Sequence, residues 1–197
     1  MAKDSFPPEL RTASIVNRWS IVFTTQEDNV AMHSYFVTMY AYIIADLIKW
    51  GGPRHSLMLN ALAHDLDETV TGDIVSPVKS QIIDNERMDE FVRGQMYGRL
   101  PGVMKVVDQA SLDLTVEEME EMELIIKAAD RLDALLFLIM EKRRGNTVVE
   151  ELIKSAHALL EAAWRELPGP SQFISGLWQT TVVPSIQAHY TEGGRGI

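Results

Sequence analysis

Apolar residues return every three or four positions through most of the chain, and alternation sustained long enough for a strand is hard to find. That period predicts an all-α fold. A first long helix opens at Asp28 or Asn29, either of which can cap it. It carries Val30, His33, Phe36, Val37, Tyr40, Ile43, Ile44 and Leu47 as an inward stripe before Gly51-Gly52-Pro53 ends it. A second helix runs from about Ser56 to Asp65 or a little beyond. The stretch from Thr69 to Pro77 reads as a loop, with Gly72 as a hinge, Ser76 as an N-cap and Pro77 at the first position of the next helix.

Residues 84–98 form another predicted helix, and residues 100–114, punctuated by Pro101 and Gly102, read as a connection with little regular structure. Thr115 with Glu118, and Thr147 with Glu150, each make the capping-box pattern, which predicts helices over 116–144 and 148–166. A last helix over 170–190 leads into a tail, 191–197, without apolar periodicity. No repeat or linker divides the chain, so residues 1–197 are expected to form a single domain with an ordered core over about 8–190.

Composition narrows the chemistry. The 197 residues include no cysteine, which excludes disulfides, Cys-based metal sites and a thiol nucleophile, and any metal must sit on His, Asp or Glu. Eighteen Lys plus Arg against 28 Asp plus Glu give a formal charge of -10, which opposes binding to a nucleic-acid polymer. A small anionic substrate remains open, because a local site can outweigh a global field that salt screens within about 8 to 10 Å. The longest apolar run, 35–48, is broken by Asp46 and falls short of the roughly 20 residues that span a bilayer. The N-terminus lacks the apolar core of a signal peptide, so a cytoplasmic protein is expected.

The informative segment is His64-Asp65-Leu66-Asp67-Glu68, one imidazole and three acids at the end of an apolar helix. Alone it reads equally as a solvated helix end with one core histidine. His64 and Asp65 lie about 100° apart on a helix, so they can share a cation only if other elements bring further ligands. Glu68, four residues after His64, shares their face. His33 falls on the apolar stripe of the first helix, where an unpartnered imidazole costs free energy. Asp130 sits within a helix apolar on more than one face, where a carboxylate needs a cation nearby. Each has its own structural reading, a hydrogen-bonded core His and a salt bridge to Arg131, Lys127 or another chain, but together they supply the missing ligands.

The order His33, His64-Asp65, Asp130 resembles the HD superfamily of metal-dependent phosphohydrolases. The blocks Asn17-Arg18-Trp19, 27–34 (Glu27 to Ser34, with Met32-His33-Ser34), 64–79 (His64 to Lys79, with Asp73, Ser76 and Pro77) and 127–135 (Lys127 to Leu135, with Asp130) extend the similarity to bacterial HD 5'-deoxynucleotidases and to phage relatives that strip phosphate from dATP. Met32 departs from the glutamate usual in the bacterial enzymes. The resemblance implies a single HD-domain helical bundle in which His33, His64, Asp65 and Asp130 hold a divalent cation. Cobalt, zinc or manganese are the favoured ions, with magnesium admitted as a second. Glu68 and Asp73 would orient water, relay its proton or help hold a second cation, and Arg18 and Lys79 would neutralise phosphate. Ser76 and Pro77 would present a helix N-terminus to the anion.

The resemblance further implies a homo-oligomer and a deoxynucleotide substrate, with dATP, dADP and dAMP dephosphorylated to deoxyadenosine as the first expectation. If the chain comes from a phage, its compartment is the host cytoplasm. Trp19 against the sugar would exclude a 2'-hydroxyl, and Ile21 near the base edge would favour adenine. Two other readings stand beside it: a 5'-deoxynucleotidase restricted to monophosphates, and a non-catalytic HD module that binds a partner through its helical surface.

Overall fold

The computed structural model describes residues 8–74 and 85–191. After a 3-10 segment, Pro8–Ser14, come α1 (Val30–Leu47), α2 (Arg54–Ala63), the single turn α3 (Glu68–Thr71), α4 (Asn85–Arg99), α5 (Pro101–Leu112), α6 (Val116–Arg143), a 3-10 turn (Thr147–Val149) and α7 (Glu150–Arg165). The chain closes with α8 (Ser171–Leu177), a π turn over Trp178–Val182 and α9 (Val183–Thr191). Among the described residues there is no strand, only one isolated bridge between Asn17 and Asn29. The predicted all-α class is therefore the observed one.

α6 is the central element, packed against α1 on one side and α7 on the other, while α2 lies between α1 and α5. Its start is as predicted: Thr115 Oγ1 accepts from the Glu118 N–H and the Glu118 carboxylate accepts from the Thr115 N–H. α1 is capped by Asn29, whose side chain accepts from the Met32 N–H at 3.0 Å. The core gathers Val37, Ala41 and Ile44 of α1, Leu57 and Ala61 of α2, Ile125, Leu135 and Leu138 of α6 and Trp164 of α7. A smaller cluster of Leu66, Val92, Met96 and Leu100 sits under α3.

Four expectations fail. Residues 69–71, read as loop, belong to the single turn α3, and Gly72 ends that turn. Residues 101–112 form α5 and not a loose connection: Pro101 occupies the first helical turn, where its missing N–H costs nothing, and the segment beds on α2 through Ser111 Oγ, which donates to Asn60 Oδ1 at 3.1 Å. The Thr147 box does not form. Asn146 caps a 3-10 turn instead, accepting from the Val148 N–H at 3.2 Å while its own amide donates to the Phe23 carbonyl and Glu141. On α1, Phe36 and Ile43 face outward, and Ser34, Thr38, Ala41 and Ala45 take the inward places, because small residues allow α2 and α6 to approach closely. The tail beyond Thr191 lies outside the described residues.

One buried charge ties the fold to the segment that leads into α1. Glu141 near the end of α6 is fully buried and accepts from the Thr25 N–H and hydroxyl, the Gln26 N–H and the Asn146 amide. Burial raises its pKa and these donors outweigh that, holding the carboxyl below its usual range. Replacing Glu141 by Leu strands all four donors, so a loss of about 3 to 5 kcal/mol is expected. That corresponds to a drop in Tm on the order of 10 °C for a domain of this size. A calorimetric scan checks it, and an unchanged Tm would show that the segment is held some other way.

Candidate metal centre

Three helices bring the four expected ligand residues close together. His33 enters from the first turn of α1 and is wholly buried, His64 caps the end of α2 with Asp65 after it, and Asp130 projects from the middle of α6. His33 Nε2 lies 3.2 Å from His64 Nε2, 3.3 Å from Asp65 Oδ2 and 3.3 Å from Asp130 Oδ1. His64 Nε2 is 3.3 Å from Asp65 Oδ2. A cation at about 2.0 to 2.1 Å from tetrahedral ligands requires ligand atoms about 3.3 to 3.4 Å apart, so these separations suit one small divalent ion. His33, His64 and Asp130 also form a cluster of potential ligand atoms all within 4.8 Å of one another.

The far side of each imidazole decides which nitrogen faces the centre. His64 Nδ1 is 2.7 Å from the Ala61 carbonyl, which can only accept, so Nδ1 carries the hydrogen. His33 Nδ1 is 2.7 Å from Asp133 Oδ2, likewise an acceptor. In the neutral rings both Nε2 atoms therefore present lone pairs, with carboxylates beside them. Only a positive charge resolves this, and it must be a proton or a metal ion. Around His33 the carboxylates of Asp65, Asp130, Asp133 and Asp28 outnumber the one guanidinium, Arg18. Burial works to lower the pKa of His33, but hydrogen bonds to Asp130, Asp133 and Asp65 outweigh it and push it up to about 10. Burial opposes ionisation of both Asp65 and Asp130, yet His33, His64 and Arg18 hold Asp65, and His33, Arg131 and Arg18 hold Asp130, below the usual carboxylate range.

Arg18 spans the centre. Its Nη1 donates to Asp65 Oδ2 at 3.1 Å, Nη2 lies 3.9 Å from Asp130 Oδ1 and Nε lies 3.7 Å from Asp28 Oδ2. Trp19 adopts a left-handed backbone at φ 61°, unusual for a bulky residue. Its indole N–H donates to Asp28 Oδ2 at 3.2 Å and its ring stacks on Phe137 at 5.4 Å. Ile21 is 74% exposed. Glu68, at the start of α3, keeps its Oε2 buried with no hydrogen-bond partner among the described residues. Burial, reinforced by the negative charges of Asp65 and Asp73, pushes its pKa up to about 8. Asp73 lies just past Gly72 at φ 73°, and Ser76, Pro77 and Lys79 lie outside the described residues.

Two members of the site do not stand out in the sequence. Asp133 follows Asp130 by three residues on one helical face, an in-phase acid within an apolar helix, and that spacing is the available signal. Asp28 reads from sequence only as a helix cap, whereas its backbone and side chain both hold the Arg18-Trp19 segment. A cavity of about 370 Å³ between α2, α5 and α6 opens beside His64 and Asp130.

Comparison with known proteins gives a consistent picture. Residues 5–179 match the family described as 5'-deoxynucleotidase YfbR-like. A 5'-deoxynucleotidase of Klebsiella pneumoniae is 29% identical over 154 residues, covering 74% of this chain and 77% of that protein. The 5'-deoxynucleotidase YfbR of Salmonella arizonae is 27% identical over 164 residues, with the same coverage of each. The HD phosphohydrolase DatZ of cyanophage S-2L, solved with dA and one catalytic Zn2+ ion, superposes with a TM-score of 0.65 at 24% identity over 93% of this chain and 98% of that one. An HD-domain phosphohydrolase of Listeria innocua superposes at 0.67 with 23% identity, over 93% and 90% of the two chains.

Asp133→Ala should weaken divalent-cation affinity about 10- to 100-fold, the usual effect of losing the partner that orients a ligating imidazole. Calorimetric titration with zinc or manganese measures this, and unchanged affinity would remove the role given to Asp133. A second expectation concerns pH. With a folded pKa of about 10 against 6.5 for the free side chain, the His33 proton contributes stability in full below pH 6.5, and that contribution is lost as pH rises through 10. In chelator the protein should therefore melt at progressively lower temperature across this window, and a saturating divalent ion should flatten the decline. A chelated protein whose Tm holds level or rises from pH 6.5 to 10 would contradict it.

Proposed function

The chain belongs to the YfbR-like 5'-deoxynucleotidase family, and from that membership together with the geometry of the centre we propose that it is an HD-type phosphohydrolase that releases phosphate from deoxynucleotides. The observation that carries the reading is the convergence of two lone-pair nitrogens and two carboxylates on one point, with Arg18 alongside and a protonatable acid, Glu68, nearby. A bound divalent ion would supply Lewis acidity at a phosphoryl oxygen and a nucleophile at neutral pH. His33, His64, Asp65 and Asp130 would hold it. All four donors are nitrogen or oxygen, a set that suits cobalt, manganese or zinc.

The remaining steps belong to side chains. Arg18 is already charged and positioned by Asp28 and Asp65, so it can bind phosphate oxygens with little reorganisation. Its ion pair with Asp65 loosens as the phosphate takes over its donors. Glu68, raised to about 8, holds a proton near neutrality. It can give that proton to the 5'-oxygen as the P–O bond breaks, or share it with the attacking water. Asp73, whose charge helps raise Glu68, supports the same proton. Trp19, fixed by Asp28 and Phe137, offers a rigid indole beside the phosphate region, which supports selection of a deoxy sugar by clash with a 2'-hydroxyl.

Deoxynucleoside monophosphates are the substrates that the family membership supports best. Hydrolysis of dATP is the second reading, supported by the likeness to the cyanophage phosphohydrolase solved with dA. The experiment is a phosphate-release panel over dAMP, dADP, dATP and their ribose counterparts, with cobalt, manganese, zinc and magnesium. Activity should need the metal and fall to background in His64→Ala and Asp65→Ala. Glu68→Gln should retain the metal while turnover falls about 10²-fold, the scale of a lost acid–base group. A panel with no metal-dependent phosphate release would leave the non-catalytic interaction module as the better reading.

A further inference from the structure

The face of α6 that carries Asp130 has a different neighbour on each side of that residue. Phe137, two turns further on and about 10 Å along the axis, stacks on Trp19. Met119, Glu123 and Ile126, between one and three turns before Asp130, line the cavity of about 370 Å³ that α6 shares with α2 and α5. At 100° per residue all four fall within about 40° of Asp130, so Trp19 and the cavity lie along one line with the candidate metal centre between them. The cavity walls are the apolar Met119, Met122 and Ile126, and its polar groups include Asn60, Ser111 and Glu123. Ser111 Oγ donates to Asn60 Oδ1 at 3.1 Å, and the Asn60 amide donates to the Ser56 carbonyl at 2.9 Å. The second Asn60 N–H and the Ser111 lone pairs are left for a guest, with the Glu123 carboxylate as a further acceptor. Apolar walls with a few converging polar groups make a small-molecule pocket, and such pockets measure about 300 to 1,000 Å³. An attacking water needs only on the order of 30 Å³. Phosphate suits the cavity poorly: Lys127, the one fixed cation among its described lining residues, is paired with Glu166 at 2.6 Å and stands beside Glu123 and Asp130.

We propose that this cavity is a second substrate site, for a nucleoside whose hydroxyl takes the place of water, so that the protein also transfers phosphate from a deoxynucleotide to a nucleoside. The proposal rests on the phosphohydrolase reading, with Trp19 beside the sugar of the donor. Displacement at phosphorus runs in line, the nucleophile entering opposite the leaving oxygen. A donor nucleoside on the Trp19 side leaves towards Phe137, and the opposite approach is the one onto which the cavity opens. A nucleoside matches its lining: the flat base packs against thioethers and Ile126, and the base edge has both donors and acceptors for Asn60, Ser111 and Glu123. In the transfer the acceptor hydroxyl oxygen bonds to phosphorus as the bond from phosphorus to the donor 5'-oxygen breaks. The acceptor proton ends on a phosphoryl oxygen of the new ester, the departing 5'-oxygen takes the Glu68 proton, and the new ester returns its proton to Glu68. One phosphate ester replaces another, so no further reactant is needed. A hydroxyl held at the phosphorus competes with bulk water through its high effective concentration.

The test gives the metal-loaded chain thymidine 5'-monophosphate as donor and deoxyadenosine as acceptor, and follows thymidine, phosphate and dAMP at early times. Without acceptor, thymidine and phosphate should appear in equal amounts. With about 10 mM deoxyadenosine the ratio of thymidine to phosphate should rise from one to about two, the difference appearing as dAMP. Ile126→Trp, which fills the cavity, should return the ratio to one while thymidine release in water alone stays within about twofold of wild type. Met119→Trp serves the same purpose should Ile126→Trp lose helicity by circular dichroism. A readout apart from turnover comes from zinc-loaded protein carrying 13C-methyl methionine: deoxyadenosine should shift the Met119 and Met122 methyl signals, and the filled cavity should abolish the shift. Thymidine released with equal phosphate and no dAMP would overturn the proposal and leave the phosphohydrolase reading standing. So would Met119 and Met122 signals unmoved at about 10 mM deoxyadenosine, or an excess of thymidine that persists in both folded tryptophan variants. No release of thymidine with any metal would sink the phosphohydrolase reading and the proposal with it.

Discussion

The structure turns on two imidazoles that face each other across 3.2 Å with their hydrogens committed elsewhere. The Ala61 carbonyl takes the hydrogen of His64, and Asp133 takes that of His33. Their Nε2 atoms are thereby left as acceptors, with Asp65 and Asp130 adding more negative charge. Such a cluster is unfavourable without a cation, and much of the surrounding architecture serves to hold it. α1, α2 and α6 pack mutually and each delivers one part. His33 is wholly buried, with its Nδ1 held 2.7 Å from Asp133 Oδ2.

The support continues outward. Glu141 gathers Thr25, Gln26 and Asn146, which fixes the chain just before Asp28 and Asn29. Asn29 starts α1 and so sets the height of His33, while Asp28 orients both Arg18 and Trp19. A carboxylate at the far end of α6 thus helps determine where the Arg18 guanidinium stands. The left-handed backbone of Trp19 persists because Arg18 and Val22 are hydrogen-bonded on either side of it.

Much of this is legible in the sequence because it rests on local rules. The cap at Asn29, the capping box at Thr115 and the helical period of α6 depend on neighbours three or four residues apart. The four residues His33, His64, Asp65 and Asp130 stand out because each is a charged or ligating group within or at the end of an apolar helix. The features that escape a sequence reading depend on contacts distant along the chain. α5 is hidden by Pro101 and Gly102, which read as breakers although Pro is at home in a first helical turn. Asn146 displaces Thr147 as a cap because it also serves Glu141 and Phe23, the latter far away in sequence. The inward stripe of α1 is misassigned at Phe36 and Ile43 because both sides of that helix are apolar, and periodicity alone cannot say which one faces in.

The central claim is that the two Nε2 atoms and the two carboxylates are ligands of one ion, and not a proton-bridged cluster. Anomalous diffraction at the cobalt or zinc edge, from crystals grown with that metal, tests it most directly. The expected result is a single strong peak within about 2.3 Å of His33 Nε2, His64 Nε2, Asp65 and Asp130, with the Nδ1 contacts to Asp133 and Ala61 intact. Full metal loading with no peak at that point, or a peak on the Nδ1 side of either ring, would contradict it.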